Sequence, residues 1–405
     1  MITLKKLKIN DIFIGLILFL FSMNFINMES RLVLVLFLSV FLLYKCICIP
    51  KKSILLILFS ILFYIMSVYY HREFLTYYVL PYLLAPTMGY LVGSTIISKC
   101  SFENLDNMVR YYIFIIVFGR FTHGFMNMII SGGFVDYNRN GMDIWTNSVI
   151  AATGQGALMS LCISLLFYML FVVNRKNNFK MKIILFIAVI FAIYNSLVTA
   201  SRTALIIMII VFVVNIFCTV IMRSQDSKLK IKRIFKISIF VVIAVLLYSN
   251  NAFQIKERWE NTPLYERISD ETGYQSGDEY RKESLFKTIE EAYKYPFGDG
   301  SLDTTHNLWF DVLKQVGWFP FILLVTFTVV AIHDVLKIVK NSSILLENKY
   351  LILSICCAFL INFFVEPVFK GMPYYFVDFC IFAGMLNIYA KRKGSYYINI
   401  RKDDV

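Results

Sequence analysis

The amino-acid sequence predicts an all-α polytopic membrane protein, and three observations carry that prediction. Hydrophobic residues make up 58% and aromatics 17% of the 405 residues, with a mean hydropathy of +0.66, values of a membrane-embedded chain rather than a soluble one. Apolar runs of near-spanning length recur from end to end, about twelve of them. Lysine and arginine gather in alternate loops between the runs, the pattern that sets orientation in a bilayer. No residues are left over for a second globular domain, so 1–405 reads as a single integral membrane domain.

The first run, near 11–28, follows Lys5, Lys6 and Lys8 and has no small-residue cleavage site after it. It reads as a retained helix rather than a removable signal peptide. Further runs lie near 31–49, 53–70, 74–97, 111–130, 147–173, 183–200, 203–222, 235–250, 318–338, 350–369 and 375–390. With the N-terminus inside, the inner loops carry Lys51 and Lys52, Lys99, Arg175 to Lys182, Arg223 to Arg233, and Lys337 with Lys340; the tail adds Lys391 to Lys393. The other short loops hold isolated cations such as Arg31, Arg72, Arg139 and Lys370. Both termini are therefore expected in the cytoplasm. The run near 235–250 is short for a span, and the parity of everything after it depends on its crossing. The net charge of +13 is accounted for by the inner loops and reports insertion, not nucleic-acid binding. All eight cysteines fall in expected spans or at inner ends, so no disulfide framework is expected in the outer loop.

Residues 251–317 form the one large outer loop, hydrophilic from 251 to about 305 and expected to carry amphipathic helices. Residues 278–295 read as a helix in which Phe286, Ile289 and Tyr293 share a face, ended by Pro296, Gly298 and Gly300. Such a helix and turn either cover the membrane mouth or merely connect spans. Leu308, Val312, Leu313 and Val316 then repeat at helical spacing, with Asp311, Lys314 and Gln315 on the opposite face. That pattern predicts a short helix on the membrane surface, turned by Gly317 and Pro320 into the next span. His306 and Asn307 stand just before it, where lipid meets water; the histidine is either functional or a capping residue.

A single helix over 183–222 would be about 60 Å long, roughly twice the hydrocarbon thickness, so a break is forced at Thr199 to Thr203. Ser201 caps the helix that follows, which puts Arg202 beside a helix N-terminus at the outer end of a hairpin. Its guanidinium fork matches phosphate oxygens, or else it snorkels to the headgroups. Arg120 and His123 share a face within the fifth run, where ionisable groups line polar cavities. Arg139, Asn140, Gly141 and Asn147 form another polar group, followed by small residues at 151–157 suited to close helix packing. Glu366 and Lys370 bracket the outer end of the eleventh run. The chain has no phosphate-binding glycine loop, no His-Glu-x-x-His and no Gly-x-Ser-x-Gly. No metal site and no cofactor is expected.

These segments together resemble the O-antigen polymerase and O-antigen ligase family of bacterial inner-membrane glycosyltransferases. Ser201 to Leu205 resembles that family's Ser-Arg-Thr stretch. Arg281, upstream of Pro296-Phe-Gly298-Asp-Gly300, resembles the arginine before its Pro-x-Gly-x-Gly turn. His306-Asn307, with Leu313 and Gly317, is similar to its His-Asn motif, and Arg139-x-Gly141 with Asn147 to its first outer arginine segment. The likeness covers 139–320, with the remaining runs matching in topology. Asp299 stands where an apolar residue is common in the family's turn, and Pro320 where a second glycine often sits.

The resemblance implies a glycan donor on polyprenyl diphosphate, a sugar hydroxyl as acceptor, and a site on the periplasmic, extracytoplasmic face of the bacterial inner membrane. Fixed arginines meet the charge on a leaving diphosphate without a metal, and a histidine, with an ordinary pKa of about 6.5, suits proton removal at neutral pH. In this reading His306, Arg202 and Arg281 are the catalytic candidates, and Arg139, Asn307, Arg258 and Arg120 bind substrate. The expected activity is polymerisation of repeat units into O-antigen or capsule. Expected partners are the lipid-linked oligosaccharide, membrane lipid, a flippase and a chain-length regulator, with no nucleic acid. The alternatives are a ligase that moves finished glycan to lipid A core or protein, and a lipid-linked glycan flippase. Against the flippase, the two halves show no repeat and the large loop has no counterpart.

Overall fold

Water does not reach the backbone inside a bilayer, so each peptide group must be satisfied within the protein, and separated apolar runs solve this as helices. In the computed structural model, which describes residues 8–132, 140–172, 179–221, 227–269 and 271–403, a helix overlaps every one of the apolar runs. In chain order these begin with α1 (Ile9–Ser22), α2 (Glu29–Tyr44), α3 (Ser53–Tyr70), α4 (Ala85–Lys99), α5 (Leu105–Ile130) and α6 (Ala152–Ile163). They continue with α7 (Phe179–Val198), α8 (Arg202–Ile221), α9 (Ser227–Ser249), α10 (Ile255–Glu260), α11 (Pro263–Ser269) and α12 (Glu271–Lys294). Last come α13 (Leu308–Val316), α14 (Trp318–Lys340), α15 (Leu346–Val365), α16 (Val368–Gly371) and α17 (Pro373–Asp403). Among the described residues the one sheet is an antiparallel pair, β1 (Gly141–Met142) and β2 (Val149–Ile150), with Gly141 opposite Ile150.

Eight helices among the described residues are long and apolar enough to cross a membrane, so the chain is an all-α polytopic membrane protein. α1 is apolar but has 14 residues, about 21 Å of helix against a hydrocarbon core of about 30 Å. The run near 235–250, short as read from sequence, is the C-terminal part of the 23-residue α9, which starts back at Ser227. Beyond it, Phe235–Ser249 meets Ala252–Glu260 at a bend of 91°.

The chain divides into two compact units, one of residues 121–277 and 349–358, the other of residues 2–120, 278–348 and 359–405. In the first, α6 packs on α7 and α8, and α11 on α7. The predicted break before α8 is a turn through Ala200, whose φ of 52° is left-handed. Ser201 Oγ accepts from the Ala204 amide at 3.4 Å, capping α8 as expected. Gly156, from the small-residue segment, lies against that cap: a Cβ there would sit 2.7 Å from Ser201 Oγ. Asn215 Nδ2 donates to Ser354 Oγ at 3.0 Å, and Thr219 and Tyr350 share a hydrogen bond of 2.6 Å. Such polar contacts join helices where lipid supplies no hydrophobic drive.

In the second unit α4 and α17 cross in backbone contact. A Cβ on Gly93 would lie 2.0 Å from Ile381 O, and one on Gly384 would lie 2.1 Å from Tyr90 O. Cations assigned to inner loops, together with Arg110 of α5, meet partners at one end of this unit. Lys52 is 2.6 Å from Asp334 Oδ1, Lys393 is 2.9 Å from Asp106, and Arg110 is 2.9 Å from Glu347. Arg392 donates to the carbonyls of Ile97 and Cys100 at 2.8 and 2.7 Å, at the C-terminus of α4. At the opposite end α3 finishes, α14 begins, and α13 packs on both.

Two sequence expectations change here. α12 begins at Glu271 rather than Asp278, and its Phe286, Ile289 and Tyr293 face is exposed while Thr288 and Ala292 are buried. The small Ala292 lets Trp318 approach the helix and donate its indole N–H to Ala292 O at 2.9 Å. The polar side of α13 is not solvated. Asp311 and Gln315 are buried along with Leu308, Val312, Leu313 and Val316, because both polar groups find partners: Asp311 takes hydrogen bonds from Thr305, and Gln315 Nε2 donates to Ser67 Oγ at 3.3 Å. α13 is therefore packed on both faces.

After α12 the segment Pro296 to Gly300 turns onto the C-terminus of α13. Asp299 N donates to Lys314 O at 2.9 Å, Gly300 N to Gln315 O at 3.2 Å, and Trp318 N to Pro296 O at 3.0 Å. Final-turn carbonyls that lack helical partners are thus satisfied. Gly298 and Gly317 have φ of 87° and 83°. A Cβ on Gly317 would lie 2.3 Å from Pro296 O, so space and conformation both demand glycine. Gly317→Ala is expected to cost roughly 2–4 kcal/mol, read as a lower unfolding temperature of the purified protein in detergent. An unchanged temperature would mean that the turn and helix hold together without this contact.

Candidate functional site

The N-terminus of α13 collects the polar groups of the second unit's site end. Asn307 is the N-cap: its backbone is extended, and its Oδ1 accepts from the amides of Trp309 and Phe310 at 3.1 and 3.3 Å. Asparagine is among the strongest residues at this position because it replaces helix bonds that the first turn lacks. Its Nδ2 donates to Phe364 O at 3.2 Å, tying the cap to the end of α15. His306 is half-buried with φ of 57°. Histidine tolerates this left-handed region better than most residues, at a cost of about 1–3 kcal/mol that surrounding contacts must meet.

Those contacts come from both sides. Asp311 Oδ1 accepts from Thr305 N at 2.5 Å and from Thr305 Oγ1 at 2.8 Å, while Asp311 Oδ2 is buried with no hydrogen-bond partner. Burial raises the Asp311 pKa above the usual carboxylate range; the Thr305 bonds and the Lys370 and Lys314 charges oppose that shift without overcoming it. Lys370, on α16, donates to Ser301 O at 3.1 Å and Asp303 O at 2.8 Å. Its burial lowers its pKa to about 8. Lys314 Nζ is 3.6 Å from Asp303 Oδ2. At the far side of the loop, Tyr70 Oη donates to Gly298 O at 2.7 Å, and His71 Nε2 to Gly300 O at 2.6 Å. Asp311, Lys370, Thr305, Tyr70 and His71 are what sequence reasoning missed as members of this site. Lys370 showed only as an outer cation bracketing a run end with Glu366, and Asp311 only as a polar position on a helix.

Arg120 also belongs to the second unit, in a buried ion cluster rather than an open position. Its Nε donates to Asp378 Oδ2 at 2.5 Å and its Nη1 to Glu29 Oε1 at 2.7 Å, and Ser22 Oγ donates to Asp378 Oδ1 at 2.9 Å. Its guanidinium carbon lies 5.9 Å from the Tyr375 ring centroid. Two carboxylates already engage it.

In the first unit Arg202 is half-buried in the first turn of α8, next to the Ser201 cap. Arg267, on α11 and not singled out by the sequence, donates through Nη1 to Ala200 O at 2.6 Å and so holds the turn before Arg202. Arg258 is exposed on α10. His123 Nε2 and Asp143 Oδ2 share a buried hydrogen bond of 2.8 Å. Burial works to raise the Asp143 pKa, but the His123 bond and charge and the amides of Trp145 and Thr146 hold it below the usual range. Arg139 lies outside the described residues, as does the side chain of Arg281. The residues brought together at one helix end are thus His306 and Asn307, joined by Asp311 and Lys370, while Lys314 reaches the same loop from the last turn of α13.

Among the described residues no group of three or more His, Cys, Asp or Glu is arranged to hold a metal ion. What the site offers is an imidazole on a fixed loop and a lysine whose pKa burial lowers to about 8, beside a capped helix N-terminus. No protein-family model matches the chain, and no curated protein matches it either.

Because the folded pKa of Asp311 is raised, its contribution to stability is complete below the unfolded value and is lost as pH rises through the folded one. Wild type is expected to lose stability relative to Asp311→Asn as pH climbs from acid toward neutral. Unfolding temperatures of both proteins across that range test this, and parallel curves would contradict it.

Proposed function

We propose that this protein is a metal-independent glycosyltransferase that joins oligosaccharide repeat units carried on polyprenyl diphosphate into a surface polysaccharide, O-antigen or capsule. The observation that carries the reading is the His306-Asn307 segment, held in a left-handed turn at a capped helix N-terminus, at the opposite end of the helices from the paired cations. A histidine fixed in that way, within a polytopic helical protein, suits proton removal from a substrate that is itself anchored in lipid. The resemblance in segments 201–205, 281–300 and 306–317 supports the same reading. The reading also takes about twelve helices as spans, both termini as cytoplasmic, and 251–317 as the extracytoplasmic working loop of a bacterial inner-membrane protein.

In the proposed step an acceptor hydroxyl attacks the anomeric carbon of the donor glycan. The new glycosidic C–O bond forms as the bond from that carbon to the diphosphate oxygen breaks. The bonding pair leaves with the polyprenyl diphosphate, and the hydroxyl proton passes to His306. Arg202 and Arg281 are the candidates to meet the charge on the departing diphosphate. Arg139 and Arg258 remain substrate-binding candidates, and Asn307 is a weaker one because it is buried with both ends of its amide engaged, by the first turn of α13 and by Phe364 O. Arg120 is likewise weaker, since Glu29 and Asp378 already engage it.

The test is a gel of surface and lipid-linked glycan from a deletion strain complemented with wild type, His306→Ala or Arg202→Ala. A polymerase leaves single repeats attached in the deletion strain, and His306→Ala fails to restore long chains. Long polymer held on the carrier with none attached identifies a ligase instead, and undisturbed glycan removes the glycosyltransferase reading altogether. A loss of less than about tenfold in His306→Ala defeats its assignment as base, and unchanged donor affinity in Arg202→Ala does the same for the arginine.

A further inference from the structure

Lys370 stands outside the motifs that suggest the reaction, yet it bonds two backbone carbonyls of the loop that delivers His306. α16 is a four-residue helix between α15 and α17, and its Val368 and Phe369 are buried. Phe369 packs edge-on against Phe63 at 4.7 Å and contacts Tyr82 at 5.0 Å and Phe376 at 5.4 Å between ring centroids. Tyr82 Oη also donates to Phe369 O at 2.9 Å. The short helix is therefore anchored in the core of the second unit, and a lysine at its end projects from a rigid base. That lysine donates to two backbone carbonyls, those of Ser301 and Asp303, which belong to a stretch with no regular secondary structure. Two residues later Asp311 captures Thr305 from the other side. His306 follows immediately in its left-handed turn.

We infer that Lys370 is a positioning residue: its ammonium, clamped on the carbonyls of Ser301 and Asp303, sets the loop that presents His306 to the acceptor hydroxyl. The inference rests on the reading of His306 as the base. Charge-assisted hydrogen bonds are about twice as strong as neutral ones, so the clamp depends on the protonation state of the lysine. The charged groups around Lys370 are Asp311 and Lys314 from α13 and Asp299 and Asp303 from the loop. Three carboxylates against one cation favour the ammonium, but burial outweighs them and brings the transition down to about pH 8. The clamp is at full strength below that pH and weakens above it. Misplacing a catalytic group by a small distance is costly, so activity should fall on the alkaline side for a reason unrelated to the base itself.

The experiment uses the full chain in lipid nanodiscs, as wild type, Lys370→Arg, Lys370→Met and His306→Ala. Amide exchange over 299–306, corrected for intrinsic pH effects, and polymerisation are measured at about pH 6.5 and about pH 9.5, either side of the lysine transition. In wild type, exchange is expected to quicken about tenfold and activity to drop about tenfold between the two. Lys370→Met should exchange fast and work poorly at both. Lys370→Arg, which keeps its charge throughout, should stay protected and lose the alkaline decline. Equal exchange in wild type and Lys370→Met at about pH 6.5, where the wild-type lysine is charged, overturns the clamp. Altered exchange with unaltered activity and pH profile, where His306→Ala is inactive, makes the lysine merely structural and sinks the positioning role alone. Full activity in His306→Ala instead removes the base assignment, and the positioning role falls with it.

Discussion

The Pro296 to Gly300 turn and the C-terminus of α13 are locked together by three backbone hydrogen bonds and by two glycines that admit no side chain. Much of the candidate site depends on that contact. Gly317 is followed at once by α14, which is long and apolar enough to span a membrane, so the turn is bonded directly to the first residue of a membrane helix. Tyr70 and His71, at the end of α3, hold the same turn from outside. A surface loop, ordinarily the least ordered part of a chain, is here tied to the ends of two long helices. The loop that follows, with Thr305, His306 and Asn307, inherits that order and needs only local contacts to complete it.

Buried charge is handled in two ways within the second unit. Arg120 is met by two carboxylates, one of them also accepting from Ser22. That cluster joins α1, α2, α5 and α17, and removing Arg120 would leave the buried Asp378 and the half-buried Glu29 uncompensated at high cost. Lys370 and Asp311 are not paired in this way. Each is stabilised by backbone or hydroxyl groups, each is displaced toward its neutral form by burial, and Asp311 keeps one oxygen without a hydrogen bond. Charge met by opposite charge suits architecture, whereas buried groups displaced toward their neutral forms suit chemistry or its control.

Some of the site was legible before any tertiary structure. Ser201 capping α8, the glycine turn after α12, and the helix beginning after Asn307 all follow from interactions between residues a few positions apart, whose geometry a short segment nearly determines. The misjudged features share a different character. Asp311 and Gln315 looked solvated because polar residues opposite an apolar stripe ordinarily are, but Thr305 and Ser67 were waiting for them. Lys370 reaches carbonyls 69 and 67 positions away, and Arg120 reaches a carboxylate 258 positions away.

By itself, then, the sequence determined the all-helical class, the recurrence of near-spanning runs, the breaks between them and the segments with site-like polarity. These depend on hydrophobic period, on charge placement and on the few residues that stop or cap a helix. Tertiary structure decided which polar groups are occupied and which stay open: Arg120 closed within an ion cluster, and Lys370 and Asp311 drawn onto the loop of His306. The reason is that lipid and protein interior are equally apolar, so hydrophobic pattern does not tell a residue facing one from a residue facing the other. Only the packing of distant segments brings a buried charge to its partner.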